Sequence, residues 1–493
     1  MLVHKYMMKV TSNIVSALAS FVALMFMTRY VPDEYGLMMW GFAFVALFNA
    51  VADLGFSTAH MKFVASGRDI NDCFSTYAVI RVLFASIMIL LAVIFTAIGI
   101  FDGSITLEAA AVVLVFIVFY TIWDVRSILT TTFDARLESG KASIVLITET
   151  VIRSLILVVL AYMQVDAVIL STAYLTGMIF AAIMALVLTR NVGLRFVRPT
   201  MLKEYARYSA PLVIATFVLM TVESLDKVLI GFSSGTMEVG YYAAAMGAVV
   251  AVIGLGNSIN AVLLPQLSSK EMTGSASKTE GLIWTSQKYL LMLLLPMMAV
   301  LMVYGEEMAS VLFGGGFARA GTMLSILSVL MVLKIMSGIL SQVLYASNNA
   351  KLHTKATVFY GVLVMVLYLL FIPEAGIFPF FGGIGAAIAI GSGSIAYIII
   401  LSYYVKHAAG VRTYPNLWKH VISLIITLVV LILIWYVLDV SGVFWMIFVS
   451  MLGMGLYMGV LVVLKELRYY DIKFFMNAIN PKQLMKSLDD ELH

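Results

Sequence analysis

Arg29-Tyr30-Val31-Pro32-Asp33-Glu34-Tyr35-Gly36 is a charged turn between two apolar runs, and the second run continues down to Asp53-Leu54-Gly55 and Lys62. The plan returns two hundred residues later. A turn carrying Glu238-Val239-Gly240 leads into an apolar run that ends near Gly254, Gly256 and Asn257, followed by a cationic loop. With the two Glu-x-Gly triplets aligned, Gly36 falls on Gly240, Asp53 on Asn257 and Ser66 on Lys270. The repeat is weak, but it divides the chain into related halves.

Composition fixes the class. The 493 residues are 62% hydrophobic and only 12% charged, whereas water-soluble domains carry about a quarter charged residues. The chain therefore reads as an all-α integral membrane protein. A net charge of +4, spread over many loops, points to no nucleic acid and no acidic partner. One cysteine, Cys73, excludes an internal disulfide. The N-terminal run resembles a signal peptide but continues to Thr28, long enough to span at about 20 residues per crossing, so it is read as an uncleaved first helix.

In hydrocarbon every backbone amide must be paired within the protein, so long apolar runs become helices. Fourteen are predicted, at 10–30, 36–58, 74–100, 106–127, 142–163, 167–189, 206–231, 239–263, 284–304, 321–345, 356–373, 383–405, 418–438 and 443–464. The period-two polarity of barrel strands is absent. Lysine and arginine concentrate on one side of these crossings, from Lys5, Lys9, Lys62 and Arg68 through Arg190, Arg195 and Arg198 to Lys465 and Lys473. The opposite loops hold Arg319 and acids such as Asp33, Glu34, Asp102, Glu238, Glu306 and Glu307. The positive-inside rule then places both termini in the cytoplasm. The basic segment 192–208 reads as the seam between an N-terminal lobe, 1–191, and a C-terminal lobe, 209–416, and an amphipathic helix on the inner leaflet suits it. Helices thirteen and fourteen occupy 417–464, and 465–493 forms a cytoplasmic tail carrying another surface helix.

Several short motifs are specific in order. Asn13, the turn Arg29–Gly36, Asp53-Leu54-Gly55 and Lys62, then Ser209-Ala210-Pro211-Leu212, Leu225-Asp226 to Gly231, Glu238-Val239-Gly240-Tyr241-Tyr242, Leu264-Pro265, Leu312-Phe313-Gly314 and Tyr345 to Lys351 resemble landmarks of a known family. That family is the polysaccharide flippase branch, Wzx-like, of the multidrug, oligosaccharidyl-lipid and polysaccharide exporter superfamily. The resemblance covers nearly the whole chain. It implies two six-helix lobes related by a pseudo-two-fold axis along the membrane normal, two extra C-terminal helices, and alternating access for a lipid-linked oligosaccharide. One departure is an aromatic insert at 377–381, between Pro373 and Gly385-Ala386-Ala387, which stretches the family's compact turn before the twelfth helix.

Charges within the spans are costly, roughly 2.5–3.5 kcal/mol each at a helix centre on insertion scales, so each needs a partner or a water-filled cavity. Glu149 and Arg153 are four apart, as are Glu223 and Lys227, and each pair is suited equally to mutual neutralisation and to a cavity role. Asp226 leaves the seventh helix with a surplus acid, a candidate for H⁺ or Na⁺ coupling. Asp53, low on the second helix, joins Glu149, Glu223 and Lys227 as a candidate for ion coupling or gating. Arg81 and Lys334 have no opposite charge within one helical turn and are the leading candidates to attract the phosphate of a lipid-linked sugar. Arg153 and, at the outer mouth, Arg29 join them; Arg29 is equally suited to pairing with Asp33 or Glu34.

Three functional classes follow. The first is a flippase for a polyprenyl-phosphate- or diphosphate-linked glycan, acting in the bilayer as a monomer beside other glycan-assembly proteins, with no cofactor beyond an ion gradient. The second is an exporter of small cations from the same superfamily, which calls for an acidic cavity. The third is a membrane polymerase or ligase, disfavoured because the outer loops are short and all six histidines fall on the inner side.

Overall fold

A computed structural model describes residues 2–190, 193–267, 276–347, 349–374, 382–412, 414–438, 442–468 and 471, with side chains described outside 1–10 and 255–278. Among the described residues the chain is all helical, with sixteen α-helices and one 3₁₀ turn. They are α1 (Leu2–Tyr30), α2 (Pro32–Asp53), α3 (Phe56–Ala65), α4 (Ile70–Phe101), α5 (Leu107–Ala135), α6 (Ser139–Tyr162), α7 (Ala167–Thr189) and α8 (Leu202–Ser234). Then come α9 (Thr236–Leu267), α10 (Ala276–Val303), α11 (Gly305–Phe313), α12 (Ala318–Ala346), α13 (Ala350–Phe371), α14 (Gly382–Ala409), α15 (Leu417–Val437) and α16 (Val443–Val463).

Thirteen helices have the length and apolar composition to cross a membrane. The fourteenth crossing is α8, whose course is fixed by contact with α2. A Cβ on Gly55 would come within 2.9 Å of Leu212 near the start of α8, and one on Gly231 within 2.0 Å of Trp40 near its end. Because Trp40 lies in the first half of α2 and Gly55 just past its end, α8 runs antiparallel to α2 over that stretch and crosses alongside it. The fourteen predicted helices thus correspond to α1, α2, α4 to α10 and α12 to α16. The face where α1 begins is called the basic face below, and the opposite one the acidic face.

Two short helices are additions to the sequence reading. The second predicted helix was extended to residue 58, but α2 stops at Asp53 because Leu54 and Gly55 take left-handed φ of 44° and 83°. The chain turns there into α3, and Asp53 itself caps the turn by accepting from the Ser57 amide at 2.9 Å and hydroxyl at 2.7 Å. At the acidic face α11 and the turn Gly315–Phe317 fill the connection between α10 and α12.

The interlobe segment is a correction. The expected amphipathic helix is not formed, since 194–201 carries no helix and α8 begins only at Leu202. Instead, the backbone amides of Arg195, Val197 and Thr200 donate to Asn71, Ser75 and Asp72 at 2.9, 2.8 and 2.8 Å. Three of the strap's amides are thus committed to the first turns of α4 instead of a helical ladder, and Pro199 has no amide hydrogen to offer one. The 377–381 insert lies outside the described residues, and of the tail, where a surface helix is expected, only 465–468, which are not helical, and Asp471 are described.

Helices α1, α2 and α4 to α7 pack mainly on one another, as do α9, α10 and α12 to α14, while α2 touches both α8 and α9. The two outer triplets of the repeat meet here. A Cβ on Gly36 would lie 2.2 Å from the Thr236 carbonyl oxygen, and one on Gly240 would lie 3.2 Å from the Gly36 Cα. Equivalent glycines of the two halves therefore close the acidic face backbone to backbone. Helices α15 and α16 lie against α10.

Candidate functional site

Arg81, on α4, was expected to be an unpaired cation, but packing gives it two acids from other helices. Its Nη2 lies 2.9 Å from Asp124 Oδ1 on α5 and its Nη1 3.6 Å from Asp53 Oδ1. It also donates to the Ala52 carbonyl at 3.1 Å and to the Ser127 hydroxyl at 2.5 Å. Sequence spacing missed this because the partners are distant in the chain. The charge is spent, and a cavity of about 120 Å³ beside it, lined by Arg81, Asp124, Ser86 and Thr121, is small. Asp53, considered for coupling, is here a cap and a weaker partner of Arg81.

Glu149 and Arg153 do form the expected pair on α6, at 3.2 Å. Arg153 further donates to Ser20 of α1 at 3.1 Å and lies 4.7 Å over the Tyr174 ring. The expected Glu223–Lys227 pairing is different in detail. Lys227 Nζ bonds Asp226 Oδ1 at 3.1 Å and reaches only the backbone carbonyl of Glu223, at 3.0 Å. Asp226, buried, accepts from Tyr242 at 2.8 Å through its other oxygen. The acid left over on α8 is therefore Glu223, whose exposed carboxylate lies within electrostatic reach of both Tyr120 on α5 and Tyr368 on α13.

Lys334, on α12, stands as sequence spacing suggested. Among the described residues no carboxylate pairs with its ammonium, which sits 4.7 Å over the Tyr360 ring of α13. Arg29 joins neither Asp33 nor Glu34; it donates to the Val311 carbonyl and packs beside Gly314, tying α1 to α11 at the acidic face. The acidic face is held further by Arg319, 3.1 Å from Glu238, which also accepts from the Gly383 amide at 3.3 Å.

A cavity of about 430 Å³ is one that no charge pattern could announce. It is lined by Ile14, Leu18 and Phe21 of α1, Val249 and Val252 of α9, Pro296 and Val300 of α10, Leu324 and Met331 of α12, and Met454 of α16, so it is almost wholly apolar. Lys334 is not among the lining residues: it follows Met331 by three residues along α12, toward the basic face, and carries its ammonium to the Tyr360 ring of α13. An apolar chamber and an un-neutralised cation carried by the same helix suit the two parts of a ligand with a hydrocarbon tail and an anionic head.

Comparison with known proteins agrees in fold and family. The chain is 24% identical over 224 residues to the probable low-salt glycan biosynthesis flippase Agl15 of Haloferax volcanii, a match covering 45% of this chain and 46% of the relative. The match thus spans about half the length of that curated relative. A solved structure of the lipid II flippase MurJ in an inward closed conformation superposes with a TM-score of 0.75 at 13% identity, covering 94% of this chain and 98% of that one. An inward-facing multidrug resistance transporter of the MATE family follows at a TM-score of 0.58 and 14% identity, over 80% and 95% of the two chains. These likenesses establish a shared multi-pass helical fold. Residues 2–271 match the family described as polysaccharide biosynthesis protein, and the chain belongs to it.

Proposed function

We propose that this protein moves a lipid-linked, phosphate-bearing glycan across the membrane. The observation that carries the reading is that α12 both walls the apolar chamber, through Leu324 and Met331, and bears the un-neutralised Lys334 about one turn further on. A polyprenyl chain would enter the chamber, and the ammonium would hold the phosphate as a point charge. The family match and the likeness to flippases support this. Translocation would proceed by rocking of two six-helix lobes, 1–191 and 209–416, about the seam of Gly36 and Gly240, the acidic face being closed in the present state. The positive-inside rule puts the basic face in the cytoplasm, so the glycan would leave through the acidic face.

The test is transport of a labelled lipid-linked oligosaccharide in vesicles. Lys334→Ala should slow translocation by roughly tenfold or more, the worth of one charge-assisted contact, with an unchanged melting temperature. Translocation at the wild-type rate would refute the assignment.

One observation favours a second reading, export of small cations: the exposed Glu223 carboxylate of α8, with which no described cation forms an ion pair. Under that reading Glu223→Gln abolishes drug efflux while Lys334→Ala spares it.

A further inference from the structure

Among the described intramembrane charges of α1 to α7, Arg81 is held by Asp124 and Asp53, and Arg153 by Glu149. Arg126, on α5, is the exception. No described carboxylate lies within 4.0 Å of its guanidinium, although the residue is only 8% exposed and its Nε is enclosed without a hydrogen-bond partner. The acid within electrostatic reach is Glu149, which Arg153 already engages. An enclosed guanidinium without a counter-ion is costly, and the cost is relieved when an anion arrives.

The surroundings indicate what kind of anion. The guanidinium lies 4.7 Å over the Trp123 ring. Trp123 is 37% exposed, and the helical period turns it away from the exposed stripe of Leu114, Val118 and Val125, the side facing lipid. Its indole is therefore exposed on the face of α5 opposite that stripe, beside Phe119 and Tyr120. The arrangement has a counterpart, since Lys334 stacks on Tyr360, also at 4.7 Å, and also lacks a described acid. Helices α5 and α12 are both 29 residues long, and each is the fourth long helix of its half.

We infer that Trp123 and Arg126 form a sugar-phosphate subsite in the N-terminal half, the counterpart of Lys334 and Tyr360 in the C-terminal half. The guanidinium forks two oxygens of a phosphate or diphosphate. The indole face receives the first sugar. This rests on the transport reading and adds to it a second anchoring point for the head group, one on each half.

The probes are polyprenyl diphosphate and polyprenol, binding measured on the purified full chain alongside vesicle transport of a lipid-linked oligosaccharide. Arg126→Gln should weaken polyprenyl diphosphate binding by roughly tenfold or more and leave polyprenol binding unchanged. The melting temperature of the ligand-free variant should hold or rise, because an uncompensated charge has been removed. Arg126→Lys should bind with intermediate strength, and Trp123→Leu should weaken the glycosylated lipid more than the bare diphosphate. The inference is overturned if Arg126→Gln binds diphosphate like wild type. It is equally overturned if Arg126→Gln lowers the melting temperature and Glu149→Gln restores both stability and binding, which would make Arg126 a structural counter-ion. Wild-type protein that binds diphosphate through Arg126 but moves no lipid would refute the transport reading and leave the subsite standing.

Discussion

The seam between Gly36 and Gly240 gives the most direct handle on alternation. Alanine at Gly36 would bring a methyl carbon to 2.2 Å from the Thr236 carbonyl oxygen and leave the Thr236 carbonyl carbon at 2.9 Å. Relative to an ordinary contact of about 3.5 Å, the overlap with the Thr236 carbonyl oxygen exceeds 1 Å, and a backbone atom cannot rotate away as a side chain would. Overpacking of this kind costs roughly 1–3 kcal/mol. If the contact exists only while the acidic face is closed, that cost shifts the equilibrium toward the open state by about 5- to 150-fold. Gly240→Ala supplies the control, since its Cβ would lie 3.2 Å from Gly36 Cα and needs only a few tenths of an ångström. In a Cys73→Ser background, spin labels at the exposed Asp33 and Gly316, on either side of the seam, report the separation. Gly36→Ala should move the distance distribution to longer values, and Gly240→Ala should move it much less. A lowered melting temperature with an unchanged distribution would refute the reasoning, because the contact would then belong to every state of the fold.

Other expectations follow from the ion pairs. Asp124→Asn leaves Arg81 with Asp53 at 3.6 Å alone and should cost on the order of 3 kcal/mol, read as a drop in melting temperature, whereas Arg81→Met with Asp124→Leu should recover most of it. At the basic end of the added helices, burial pushes the Glu466 carboxyl up, but hydrogen bonds from Tyr414 and Lys419 and the charges of Lys419 and Lys288 outweigh it and hold it below the usual range. Burial likewise opposes, and bonds from Lys288, the Arg468 amide and Tyr289 overcome, the same shift at Asp471. Both folded values are depressed, so this stabilisation is complete above the ordinary carboxylate range near pH 4 and is lost as pH falls through the folded values. Amide exchange at the junction of α10 and α15 should accelerate below about pH 4, and Glu466→Gln should flatten that dependence; acceleration at neutral pH instead would refute it.

The class, the crossings and the family were legible in the sequence because each rests on local chemistry. Hydrocarbon demands internally paired backbone, so apolar runs of sufficient length predict α1, α2, α4 to α10 and α12 to α16 without reference to neighbours. The pairing of Glu149 with Arg153 was readable for the same reason, being four residues apart on one helix. Arg81 was not, because Asp53 and Asp124 reach it from two other helices. Nor was the break at Leu54-Gly55, the strap at 194–201 that spends its amides on α4, or the exposure of Glu223 while Lys227 turns to Asp226. The opening turn of the chain illustrates both sides. Its Glu-x-Gly triplet and the echo at Glu238-Val239-Gly240 announced a repeat, and only the folded chain brought Gly36 against Gly240. Sequence fixes which residues prefer a helix in lipid, since that depends on each segment alone. Which charges are neutralised, and which remain for a ligand, is set by distances between helices, and those exist only once the bundle has packed.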